Sequence, residues 1–99
     1  MSAPQYAAKV DANQQTVVDA LRRVGCTVEI TSQIGNGFPD LLVYTPFLCR
    51  NLLLEVKDGN KPASKRKLTP GQRRWHRDWP ADVYVVKDVD EALRVVGAP

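Results

Sequence analysis

The chain has little of what most small metal-bound or disulfide-bonded proteins rely on. It holds one histidine and two cysteines, with no CxxC pair and no Cys/His ligand spacing. A structural zinc site of the usual pattern is therefore excluded. Cys26 and Cys49 read as two reduced thiols in or near the core rather than as a disulfide. No apolar run approaches the roughly 20 residues a membrane helix needs. The N-terminus, MSAPQYAAKVDANQQ, has no apolar signal core. These absences argue for a cytoplasmic protein with no membrane partner. Repeats and low-complexity tracts are also missing.

What is present is globular. Hydrophobic residues make up 43% and charged residues 25% of the chain, which argues against disorder. Ninety-nine residues read as a single domain spanning 1–99, with 1–10 a loosely held arm. A core this modest leaves oligomerisation open. The net charge of +3 is unevenly spread. Eight of the fourteen bases but one of the eleven acids lie between Lys57 and Arg77, leaving the remainder at −4. A basic block on an otherwise acidic chain points to a polyanionic partner; the alternative is a solvated loop.

DANQQTVVDALRRVG reads as a helix with Asp11 as N-cap, Gln14 completing a capping box and Gly25 at its C-terminal end. Val17, Val18, Leu21 and Val24 mark its apolar face. CTVEITSQ alternates like a short strand. The turn-rich IGNGFPD then delivers Asp40 to a second strand, LLVYT, closed by Pro46. NLLLEVK is the third strand, and the basic loop DGNKPASKRK follows. Thr69 as N-cap, Pro70 at N1 and Gln72 at N3 announce a second helix that ends before Pro80. ADVYVV is a fourth strand, with Val83 and Val85 on one side and Tyr84 and Val86 on the other. A last helix runs from the Asp88 cap to Gly97. The order αβββαβα predicts an α/β fold, a mixed sheet flanked by helices.

Two charges interrupt the third strand. Alternation puts Leu52, Leu54 and Val56 on one face and Leu53, Glu55 and Lys57 on the other. The short connection predicts that strands two and three pair antiparallel, which sets Asp40 opposite the stretch from Glu55 to Lys57. Two carboxylates and an ammonium then converge at one end of a hairpin. That set suits Mg²⁺, which takes oxygen ligands and binds through one or two carboxylates. Asp40 and Glu55 would supply them, with the Val56 backbone carbonyl as a third oxygen. Lys57 would hold a water or stabilise phosphoryl charge. The other reading is a plain cross-strand ion pair.

GFPDLLV, LLLEVKDG and LTPGQRRWH together resemble the PD-(D/E)xK nuclease superfamily. Within it they are most similar to the small phage and bacterial proteins of the VRR-NUC (virus-type replication-repair nuclease) family, over about residues 11–97. The resemblance implies a restriction-endonuclease-like core and phosphodiester hydrolysis in DNA. It implies Mg²⁺ or Mn²⁺ dependence with no organic cofactor, and a homodimer. Branched, Holliday-junction-like DNA is among the substrates it suggests. By position, Asp40, Glu55 and Lys57 match the motif acids and lysine. Gln72 matches the glutamine expected near the nucleophilic water or scissile phosphate, although capping at N3 explains it equally. One departure stands out: many relatives carry a glutamate on the first helix, where this chain reads NQQTVV, with Asn13 or Gln14 as substitutes by hydrogen bonding.

Lys61, Lys65, Arg66, Lys67, Arg73, Arg74 and Arg77 have the composition of a phosphate-contacting surface. His76 reads as a surface or DNA-contacting residue rather than a catalytic base. Trp75 and Trp79, at helical spacing with Gln72, read as core, and Gln72 belongs to that inward face. Gly35 and Gly37 permit the tight turn before Asp40. The expected function is thus a metal-dependent DNA endonuclease. The alternatives are a non-catalytic nucleic-acid-binding module on the same scaffold and a plain assembly domain.

Overall fold

Apolar residues three and four apart generate the first buried helical face. In the computed structural model, which describes residues 12–99, they lie on helix α1 (Ala12–Arg23), where Val17, Val18 and Leu21 are fully buried. Gly25, at φ +106°, ends the helix. Its amide donates to the Arg22 carbonyl, and that of Cys26 to the Leu21 carbonyl, which satisfies two end carbonyls in a left-handed cap. The expected Asp11 cap and the arm at 1–10 lie outside the described residues.

Three strands then form an antiparallel meander: β1 (Thr27–Ile30), β2 (Leu41–Thr45) and β3 (Arg50–Val56). A crossover containing a short 3-10 turn at Ala63–Lys65 and helix α2 (Pro70–Asp78) leads to β4 (Val83–Val86), parallel to β3. Helix α3 (Val89–Val95) closes the chain on its Asp88 N-cap, whose carboxylate accepts from the Glu91 amide. The sheet order is β1-β2-β3-β4. The αβββαβα order and mixed sheet are those expected.

The inner face of the sheet makes the core. Val28, Leu41, Val43, Leu52, Leu54 and Val86 pack there with Val17, Val18 and Leu21 of α1 and Ala92 and Val96 from the α3 end. Removing such side chains from water is the main favourable contribution to folding. Two polar links tie the layers together. Buried Thr45 donates through Oγ1 to the Val96 carbonyl at 2.6 Å. Asn13 donates through Nδ2 to the carbonyls of Lys57 (2.6 Å) and Lys87 (3.2 Å), clamping α1 to the ends of β3 and β4. Among the described residues no helix is long and apolar enough to cross a membrane.

Three expectations need correction. Val24 is exposed, because the helix ends at Arg23 and turns away before it. Cys26 is in the core but Cys49 is exposed, since it occupies a left-handed position (φ 55°) in the β2–β3 turn. Neither tryptophan of α2 is core: Trp75 is partly buried and Trp79 is 43% exposed. Trp79 is the C-cap of α2, with extended backbone that leaves the helical face, and its ring stacks on Trp75 at 4.8 Å.

The Asn13 clamp gives a direct test. Asn13→Ala should lower the unfolding free energy by about 1–2 kcal/mol in urea denaturation, because two carbonyls lose their partner. An unchanged midpoint would show that the clamp carries no stability.

Candidate active site

The site begins with a backbone constraint on Asp40. Thr31, just past β1, donates its amide to the Asp40 carbonyl at 2.7 Å and its hydroxyl to the Pro39 carbonyl at 2.8 Å. These bonds hold the Pro39-Asp40 backbone against the end of β1. Leu41 pairs with Leu54, so Asp40 lies one step further along, beside Glu55. Its Oδ2 accepts the Val56 amide at 2.8 Å, where the next ladder bond would otherwise fall. β3 accordingly ends at Val56, one residue earlier than expected, and the Lys57 amide donates to the Val86 carbonyl.

Glu55 projects from the outer face of β3 and is only 2% exposed. Helix α2 covers it through Gln72. The Gln72 side chain donates from Nε2 to Glu55 Oε2 at 2.8 Å and accepts at Oε1 from Lys57 Nζ at 2.9 Å. The same Oε1 accepts the Thr69 amide at 2.9 Å, while Thr69 Oγ1 accepts the Gln72 amide. One glutamine thus completes the capping box and bridges the acid and the ammonium, so capping does not use up its side chain.

Lys57 Nζ stands 3.8 Å from Glu55 Oε2. That contact does not keep the acid ionised. Burial first, and the neighbouring Asp40 carboxylate second, push the Glu55 pKa up to about 8, against the weaker pull of Lys57. Glu55 Oε1 is buried and has no hydrogen-bond partner among the described residues. His76, one turn beyond Gln72 on α2, is half-buried rather than on the surface. Burial and then the charge of Lys57 lower its pKa, which favours the neutral imidazole.

The placement of α2 depends on a close approach. Gly37 has φ +83°, and a Cβ there would collide with the Gly71 carbonyl at the start of the helix. Phe38 meets Trp75 edge-on at 5.0 Å, fixing the middle of the helix against the same loop. Thr31 and the Gly37–Gly71 contact escaped the sequence reading. A threonine before a turn has no distinctive pattern, and the Gly37 partner lies far along the chain.

The structure therefore brings Asp40, Glu55, Lys57 and Gln72 together. Lys61, Lys65 and Lys67 are exposed on the crossover loop, and Arg73, Arg74 and Arg77 are exposed on α2. Arg77 pairs with neighbouring Asp78 at 2.9 Å, and Arg73 donates to the Leu68 carbonyl. Arg66 is partly buried, with its Nε unpartnered among the described residues. On α1 the residues that stand where the acid is missing make bonds of their own. Asn13 holds backbone carbonyls, and buried Gln14 donates to Ser32 Oγ at 3.3 Å. The one acid of α1, Asp19, is exposed and bonded to Gln15.

No family model matches the chain, and no curated protein matches it. A solved structure described as a VRR_NUC domain is similar at 31% identity with a TM-score of 0.60, covering 84% of this chain and 88% of that one. The chain belongs to the VRR-NUC family. Among the described residues its mixed four-stranded sheet with three α-helices is the restriction-endonuclease-like fold of that family, and the VRR-NUC assignment makes it a nuclease-type domain.

Glu55 makes the stability of this VRR-NUC domain pH-dependent. The folded state holds the Glu55 proton more tightly than the unfolded chain does. The stability this lends is complete below the ordinary glutamate range and is lost as pH rises through about 8. With chelator present, the wild-type unfolding free energy from urea denaturation should fall between pH 5 and pH 8, at a slope on the order of 1 kcal/mol per pH unit. Glu55→Gln should flatten that slope. Parallel wild-type and variant curves would show that Glu55 titrates normally.

Proposed function

We propose that this VRR-NUC domain is a metal-dependent DNA endonuclease that hydrolyses phosphodiester bonds, with branched, Holliday-junction-like DNA among its substrates. The observation that carries the reading is the convergence of Asp40, Glu55, Lys57 and Gln72 at the edge of the basic crossover. We take its setting to be the cytoplasm of a bacterium, with a phage or bacterial origin.

The residues present fit a divalent cation. Two carboxylates crowd together at a cost visible in the raised Glu55 pKa, and one buried oxygen lacks a partner. No group of three or more His, Cys, Asp or Glu that could hold a metal occurs among the described residues. Mg²⁺ does not require one, because it keeps several waters and binds through one or two carboxylates. Asp40 and Glu55 would hold Mg²⁺ or Mn²⁺, with the Val56 carbonyl as a further oxygen. Such an ion, when bound, supplies Lewis acidity toward a phosphoryl oxygen and acidifies water.

The chain's own groups do the rest. Gln72 fixes the Lys57 ammonium at 2.9 Å, so its charge points into the site rather than wandering in solvent. There it stabilises charge building on the phosphate or orients the attacking water. The same amide holds Glu55 from the other side. Lys61, Lys65, Arg66, Lys67, Arg73, Arg74 and Arg77 would bind phosphates on either side of the cut and orient the duplex without reading its sequence.

A second reading has an observation of its own. With no acid of α1 near the site, the scaffold would also serve as a non-catalytic nucleic-acid-binding module. The two readings separate in one assay. The nuclease should cut DNA with Mg²⁺ or Mn²⁺ and stop with EDTA. Asp40→Asn and Lys57→Ala should each lower the rate at least about a hundredfold, in line with removing a group that stabilises transition-state charge. Metal-independent binding without nicking would favour the module, and undiminished cleavage by either variant would remove these residues from the mechanism. DNA affinity should fall steeply with salt, as phosphate contacts release counterions.

The family also suggests a homodimer. The outer sheet face leaves Leu42, Tyr44 and Val85 exposed, and we assign it to a second copy of the chain. Light scattering should give a dimer mass, and Leu42→Asp should shift it to monomer. A monomeric wild type at working concentration would rule the dimer out.

A further inference from the structure

A cleft of about 300 Å³ opens between the Asp40-bearing loop and α2, lined by Asn36, Gly37, Gly71, Arg74, Trp75 and Asp78. It is built onto the active site. Gly71 precedes Gln72 in sequence, Gly37 leads into Phe38-Pro39-Asp40, and the backbone contact between the two glycines joins the cleft to the residues on either side of Glu55.

The lining chooses among ligand chemistries. A bare phosphate inside the cleft would lie against the Asp78 carboxylate, which repels it, so a phosphate held by the exposed Arg74 belongs outside the cleft. An apolar ligand would use none of the hydrogen-bonding groups that the exposed Asn36, Arg74 and Asp78 present at the cleft. A flat neutral ring with donors and acceptors along its edge satisfies all of them. Asn36 offers two N–H donors and an acceptor, Arg74 donates, and Asp78 accepts beside its Arg77 partner. The Trp75 indole supplies an apolar wall. Asn36 adopts a left-handed conformation (φ 57°), which asparagine tolerates better than most residues, and this places its amide at the cleft. The volume sits at the low end for small-ligand pockets and suits a single ring system.

We infer that this cleft receives one nucleobase of the DNA, next to the phosphate being cut. A base in an intact duplex is stacked and paired, and its edge reaches a pocket only when the nucleotide is unpaired. The substrate feature read here is therefore an unpaired nucleotide beside the cleavage point, with the base itself recognised. The inference rests on the DNA-endonuclease reading and gives that reading its substrate class.

The test separates the two. Asp40→Asn protein in EDTA, which keeps an acceptor for the Val56 amide, is titrated by fluorescence anisotropy with three DNAs. One is a fully paired duplex, one carries a single unpaired nucleotide, and one has that nucleotide replaced by an abasic residue. The base-bearing DNA should bind about tenfold tighter than the abasic one, the scale of one good base contact. Adding Asn36→Gly, which suits the left-handed backbone, should bring that ratio close to one and leave affinity for paired duplex unchanged. Asp78→Asn should weaken the ratio in the same way. Equal affinity for base-bearing and abasic DNA overturns the cleft assignment while leaving the nuclease reading intact. So does a ratio that survives both variants. Failure to bind any of the three DNAs overturns the DNA reading, and this inference with it.

Discussion

Placing the Glu55 carboxylate inside the protein, beside a second carboxylate, is the constraint around which the rest is arranged. An ionised acid in that position is strongly disfavoured unless something balances it. Asp40 makes the problem worse and Lys57 relieves part of it. Gln72 is the piece that reconciles them, because an amide presents a donor to the acid and an acceptor to the ammonium at once. A carboxylate at position 72 would add to the repulsion at Glu55, and an ammonium would repel Lys57. Only a neutral group with both functions satisfies both neighbours.

That single side chain explains why α2 is built as it is. The helix has no fully buried residue and a strongly basic composition, so burial of an apolar face is not what docks it. It is held at its N-terminus by the Gln72 bonds to Glu55 and Lys57 and the glycine–glycine approach, and at its middle by Trp75 on Phe38. The consequence is a helix whose inward residues complete the acidic site while Arg73, Arg74 and Arg77 stay exposed. Positive charge then lies on the outside of the helix, and the acids lie behind it. In the proposed nuclease, this arrangement would reconcile two demands that conflict in a small domain: negative charge to hold a cation, and positive charge to attract phosphate.

The first helix departs from the pattern that the family resemblance suggests, and the structure supplies a physical role for the residues found there. Asn13 spends its amide on the carbonyls at the ends of β3 and β4, and Gln14 is directed to Ser32. Asn13 thereby braces the strand ends beneath the site. The inner layer of α1, α3 and the sheet is an ordinary apolar core, so the domain keeps a rigid platform under the charged outer face.

Much of this domain was written in local pattern. Alternation in LLLEVK set Glu55 and Lys57 on the face opposite Leu54 and Val56, because strand side chains have a period of two. The short hairpin then set Asp40 beside Glu55, since antiparallel register follows from loop length. Capping residues marked α2 and α3, because orphan amides at a helix start need a side-chain acceptor. Tertiary structure decided the rest. Trp79 left the core because α2 stops one residue before it, and Cys49 left it because the β2–β3 turn needed a left-handed residue there. Gln72 acquired its second role, and Glu55 its raised pKa, only when α2 closed over β3. Those properties belong to contacts between segments far apart in the chain, and no local pattern in LLLEVKDG or LTPGQ encodes the distance between them.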